Sequence, residues 1–109
     1  MRVTIETSTS YETFEVPEGC GVGLKMVSLP MSDIAIEVVS KSADGDATLG
    51  QCLVATGSLD EFDDIDDLIS KAVEEPRYGG CCLRSIRLGD LVLFDWRGDR
   101  LPATYAEGR

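Results

Sequence analysis

The sequence predicts an α+β domain: a mostly antiparallel sheet, open or partly rolled, with one amphipathic acidic helix packed on it. Three observations lead there. Short segments alternate apolar and polar residues, as half-buried strands do. Turn signals separate those segments at close intervals. One stretch, residues 58–76, carries its apolar residues at helical spacing instead. At 109 residues the chain has room for a single core, so one domain over 1–109 is expected, with 105–109 frayed.

The strands follow in order. RVTIET (2–7) sets Val3 and Ile5 against polar neighbours. Ser8 to Ser10 make a polar turn, and YETFEV (11–16) returns with Phe14 and Val16 toward the core and Thr13 and Glu15 outward. PEGCGVG (17–23) has the spacing G-x-G-x-G. That matches neither a phosphate loop nor a dinucleotide fingerprint, and it reads as a flexible turn. GLKMVSLP (23–30) is a short strand stopped by Pro30. DIAIEVVSK (33–41) is rich in β-branched residues. Asp44-Gly45 is a hairpin signal because glycine accepts positive φ, and TLGQCLVATG (48–57) is the returning partner.

The helix is predicted over SLDEFDDIDDLISKAVEEP (58–76). Phe62, Ile65, Leu68, Ile69, Ala72 and Val73 fall on one face. Ser58 and Glu61 have the spacing of a capping box, and Pro76 ends the segment. Asp60, Asp63 and Asp64 sit where the helix dipole favours negative charge. A helix of about 18 residues would be ~27 Å long. Its acids repeat at i, i+3 and i, i+4, and each such like-charge pair costs a few tenths of a kcal/mol.

RYGGCC (77–82) follows as a loop and LRSIRL (83–88) as a strand. Gly89-Asp90 turns the chain into LVLFDW (91–96), a buried strand with Trp96 as a core anchor. Arg97-Gly98-Asp99 makes a further turn; as an integrin tripeptide it would need an extracellular setting, to which nothing else points. DRLPATY (99–105) is an edge strand, since Pro102 cannot donate to an interior ladder. No internal repeat or low-complexity segment is present.

The block from Gly79 to Gly108 resembles a pattern in small proteins of actinobacterial and archaeal phages and plasmids. Those run helix, loop, R-S-x-S-V-G-D-V-V, a D-G turn, a strand and a closing G-F. Arg84, Ser85, Gly89, Asp90 and Val92 match, and Gly98-Asp99 stands in for the D-G. Arg87 replaces a small residue and Arg109 stands where phenylalanine would be. The similarity spans about a quarter of the chain. It implies a mobile-element origin and assigns no chemistry.

Charge narrows the function classes. The net charge is −10. Residues 58–76 hold eight acids against Lys71 alone, whereas 77–109 hold six arginines against four acids. Such a chain repels nucleic acid, so direct nucleic-acid binding is not expected, and a basic protein surface is the better partner. Salt adaptation would also favour acids over lysine, although four cysteines fit it less well. No apolar run approaches the ~20 residues of a membrane span. MRVTIETSTSYE has no apolar signal-peptide core, so a cytoplasmic location is expected. Cys20, Cys52, Cys81 and Cys82 are then expected as free thiols. With no CxxC pair and no histidine, a zinc site is not expected; a Cys81–Cys82 vicinal disulfide is a rarer alternative. Counting an EF-hand loop from Asp44 places Leu49 and Ala55 where glycine and glutamate belong, so calcium is not expected either.

Catalysis lacks a histidine base and a nucleophile motif. The expectation is therefore a non-enzymatic acidic interaction module of mobile-element origin, without cofactor or metal. Asp60, Glu61, Asp63, Asp64, Asp66 and Asp67 would bind the basic surface of a nucleic-acid-binding protein and mimic its nucleic acid, in the manner of anti-CRISPR or anti-restriction inhibitors. The alternative is a small structural or regulatory module whose acids serve only solubility. The oligomeric state stays open.

Overall fold

The computed structural model describes residues 1–74 and 83–98. These form β1 (Arg2–Thr7), β2 (Tyr11–Glu15), β3 (Gly21–Leu29), β4 (Asp33–Ser42), β5 (Gly45–Thr56), α1 (Ile65–Glu74), β6 (Leu83–Leu88) and β7 (Leu91–Asp95). The class is α+β with antiparallel pairing throughout. The strands divide between two sheets, ordered β2-β1-β6-β7 and β3-β4-β5, and neither closes into a barrel.

Local alternation explains most of this. Val3 and Ile5 are fully buried on β1, and β2 returns beside it with Val3 opposite Phe14. β3, β4 and β5 form a meander in which Met26, Ile36 and Cys52 lie side by side. β6 then comes back from the far end of the chain to pair with β1, placing Ile86 opposite Ile5. The inward residues of both sheets, among them Ile5, Ile34, Ile36, Val38, Val54, Ile86 and Leu93, make one core. The second turn signal is displaced by one residue. Ala43 and Asp44 are the central residues of the β4–β5 turn, and Gly45 opens β5 at φ +123°. The segment 17–23 is tighter than a loop of its length: Cys20 N–H donates to the Pro17 carbonyl at 3.2 Å, and Gly21 and Gly23 already belong to β3.

The helix is shorter than its sequence pattern. A single 3-10 turn spans Leu59–Glu61, Phe62 is extended at φ −125° and ψ 130°, and α1 begins only at Ile65. The ten residues of α1 make a rod of ~15 Å. The apolar stripe still reaches the core, with Phe62, Leu68, Ile69 and Ala72 buried and Ile65 and Val73 packed against it. The break has a physical cause. Asp63-Asp64 supplies a second capping site inside a run whose carboxylates would repel one another along a continuous helix. The helix end expected at Pro76, the 77–82 loop with Cys81 and Cys82, the 99–105 edge strand and the chain end lie outside the described residues.

Besides the shared core, the described residues join the sheets at their edges. α1 touches both β3 and β6. On the other side, Phe14 of β2 lies over Gly50 of β5, where a Cβ would run into its ring. Gly50 is therefore required for room, not for backbone conformation. Gly50→Ala is expected to destabilise the protein by about 1–3 kcal/mol in urea unfolding, the range for overpacking. Gly98→Ala, where a Cβ meets nothing within 4 Å, is expected to change stability by less than about 0.5 kcal/mol. Equal midpoints for the two variants would remove Phe14–Gly50 as a joint.

Candidate functional site

Of the six predicted carboxylates, Asp60, Glu61, Asp63 and Asp64 lie on the segment that leads into α1, and Asp66 and Asp67 lie in its first turn. Ser58 caps the 3-10 turn: its Oγ accepts from Asp60 N–H at 3.3 Å, and Ser58 N–H donates to Glu61 Oε2 at 2.7 Å. The predicted capping box is thus present, on a single turn rather than at the head of a long helix. Asp64 caps α1. Its Oδ1 accepts from Asp67 N–H at 2.8 Å, and its carbonyl accepts from Leu68 N–H at 3.1 Å. Asp67 reaches back, its Oδ2 accepting from Asp63 N–H at 3.0 Å.

Lys71 ties the two capping sites together. Its Nζ donates to Asp67 Oδ2 at 3.2 Å and to the Glu61 carbonyl at 3.1 Å, and it sits 5.4 Å from the centre of the Phe62 ring. The carbonyl it satisfies is one exposed by the break in the helix. Thus Glu61, Asp64 and Asp67 have structural roles, while the Asp60 and Asp63 carboxylates accept no hydrogen bond from the described residues. Asp60, Glu61, Asp63 and Asp64 are exposed; Asp66 and Asp67 are half-buried.

Capping does not discharge Asp67. The Asp63 N–H, and then the Lys71 ammonium, hold its carboxyl below the ordinary aspartate range. A carboxylate that accepts a backbone N–H is favoured in its charged form. The segment is therefore a compact, fixed set of acids with Lys71 as its near cation.

A second cluster lies on the outer side of the four-stranded sheet, around Trp96. The expectation of a buried Trp96 is corrected by the structure: the residue is 47% exposed. β7 ends at Asp95, and a bulge at Ile86/Arg87 shifts the β6–β7 register. Leu93 and Phe94 take the buried positions, and Trp96 falls past the strand end. Its backbone N–H donates to the Arg84 carbonyl at 2.9 Å, and the Arg84 guanidinium stacks 4.3 Å from the ring centre. Arg97 lies 5.7 Å from the same ring. Asp95 faces Arg87 and Arg97 at 3.7 Å each. The backbone N–H of Arg97, and then the charges of Arg97 and Arg87, hold its carboxyl below the ordinary range. The Ser85 hydroxyl, buried beside them, donates to Glu6 Oε1 at 3.3 Å. The arginine excess after residue 76 was the visible signal for this cluster, but residue order alone did not place Arg84 against Trp96.

Cys20 and Cys52 are free thiols, Cys52 buried. Among the described residues no helix is long and apolar enough to cross a membrane.

The capping geometry makes two predictions. Asp64→Ala is expected to cost about 1 kcal/mol in urea unfolding, the usual loss for an N-cap, whereas Asp60→Ala should cost much less. The Asp67 carboxyl is depressed in the folded state, so its contribution is complete above the unfolded carboxylate range and is lost as pH falls through its folded value. Asp67→Asn should therefore flatten the fall in stability between about pH 5 and pH 2. An unchanged acid limb would remove Asp67 from that role.

Comparison with known proteins adds no relative: no family model matches this chain, and no curated protein or solved structure matches it.

Proposed function

We infer that this protein is a non-enzymatic binding module that docks on the basic surface of a nucleic-acid-binding protein and competes with nucleic acid there, as inhibitors of the anti-CRISPR or anti-restriction type do. The supporting observation is the segment 60–67, where six carboxylates are gathered beside a single lysine and capping bonds fix three of them in place. A fixed array loses less conformational freedom on docking than a flexible acidic tail. Its field speeds association with a positive groove and fades with salt. The shortened helix changes the form of the mimicry. The acids form a compact anionic knob, suited to the mouth of a basic groove, instead of a rail along ~27 Å of it.

A second reading is favoured by the division of labour among the acids. Glu61, Asp64 and Asp67 have structural reasons to be acidic, and a module with no acidic docking face would keep them.

The two readings separate in one experiment. Immobilised wild type and an Asp60, Asp63→Asn variant are incubated with bacterial lysate, washed at low and at high salt, and challenged with duplex DNA. The variant keeps all three capping carboxylates. The expected result is a basic nucleic-acid-binding protein held by wild type, displaced by DNA, released at high salt, and bound at least tenfold more weakly by the variant. No DNA-displaceable protein, or equal retention by both forms, would overturn the mimicry reading.

A further inference from the structure

We propose that the cleft beside Trp96 binds a small phosphate oxyanion, with Arg84 as its principal ligand. The cleft is about 340 Å³ and is lined by Arg84, Arg87 and Arg97 together with Glu6, Asp95 and Trp96. That volume suits a small ligand and not a polymer.

Arg84 carries the argument. Its guanidinium is packed on Trp96 at 4.3 Å, yet no carboxylate and no side-chain hydrogen bond engages it among the described residues. Stacking fixes the fork and leaves its N–H edges open to a planar or tetrahedral oxyanion. The other arginines among the described residues are matched: Arg2 is paired with Glu15, and Arg87 and Arg97 share Asp95. At 3.7 Å that sharing is electrostatic, beyond hydrogen-bond length. Both guanidiniums therefore keep donors for a ligand.

The charge balance selects the ligand further. Three arginines against Glu6 and Asp95 leave the cleft one positive charge in excess, within a chain whose net charge is −10. The overall field opposes a long polyanion. A phosphate monoanion or dianion has oxygens for more than one fork, whereas a carboxylate offers two oxygens, enough for one fork.

Trp96 is the sole tryptophan of the chain, so its fluorescence reads this cleft directly. Wild type, Arg84→Gln, Arg84→Lys and Arg2→Gln are titrated with inorganic phosphate, glycerol phosphate and acetate, with sodium chloride added to constant ionic strength. A saturable change in Trp96 emission with phosphate is expected, at least tenfold weaker in both Arg84 variants and unchanged in Arg2→Gln. Loss in Arg84→Lys, which keeps the charge, would mark the fork as the recognition element. Tighter binding of glycerol phosphate than of inorganic phosphate would identify an organic ester as the natural ligand; the reverse order would identify free phosphate. No saturation, equal response to acetate, or wild-type affinity in Arg84→Gln would overturn the proposal. Calorimetry of inorganic phosphate into wild type tests the same binding without any variant, and the absence of a saturable heat there would also overturn it.

Discussion

The shared core between the two sheets is the constraint on which the rest of the structure depends. Each sheet turns an apolar side to the other, and neither could leave that side in water. The four-stranded sheet is also incomplete until β6 returns from the far end of the chain to β1 and sets Ile86 beside Ile5. Phe14 over Gly50 joins the sheets on one side, and α1 spans β3 and β6 on the other. Everything described at the surface is held in place by that arrangement. Trp96 hangs from β6 through the Arg84 carbonyl, and the capping segment is anchored by Phe62 in the core.

The acidic segment shows how one set of residues meets two demands. A continuous helix would align its carboxylates at repulsive spacing. The chain breaks at Phe62 instead, and the break creates new N–H groups for those same carboxylates to accept. Asp64 and Asp67 satisfy the start of α1, Glu61 satisfies the preceding turn, and Lys71 bridges them. The negative charge stays, because a carboxylate that accepts backbone N–H bonds is favoured in its ionised form. Solubility, local stability and any electrostatic role for docking therefore draw on the same atoms, and the uncapped Asp60 and Asp63 are the ones that can be varied without touching the fold.

The molecule also has two electrostatic characters. The acidic knob at the start of α1 and the arginine cleft at the end of β7 rest on different supporting elements. The cleft is the less obvious of the two, because its arginines are nearly balanced by Glu6 and Asp95. Geometry, not net charge, sets it apart: one guanidinium is stacked and left without a counter-ion among the described residues, while its neighbours share one carboxylate.

Much of the fold was legible in the residues themselves. Alternation in RVTIET, YETFEV and LRSIRL marked half-buried strands, the β-branched run after Asp33 marked β4, and the Ser58–Glu61 spacing marked a capping box. These are local effects, decided by near neighbours in the chain. The split into two sheets, the break at Phe62 and the exposure of Trp96 were not legible. The first depends on β6 pairing with β1 across most of the chain. The second depends on which of two capping sites the core lets the helix use, since Phe62 is extended where its ring is buried. The third depends on the register shift at Ile86/Arg87, which a strand's own sequence does not encode. The acids' location was set by sequence, but their division into capping and uncapped groups, and the meeting of Arg84 with Trp96, were decided by tertiary structure, because hydrogen-bond partners and stacked neighbours are properties of the folded chain.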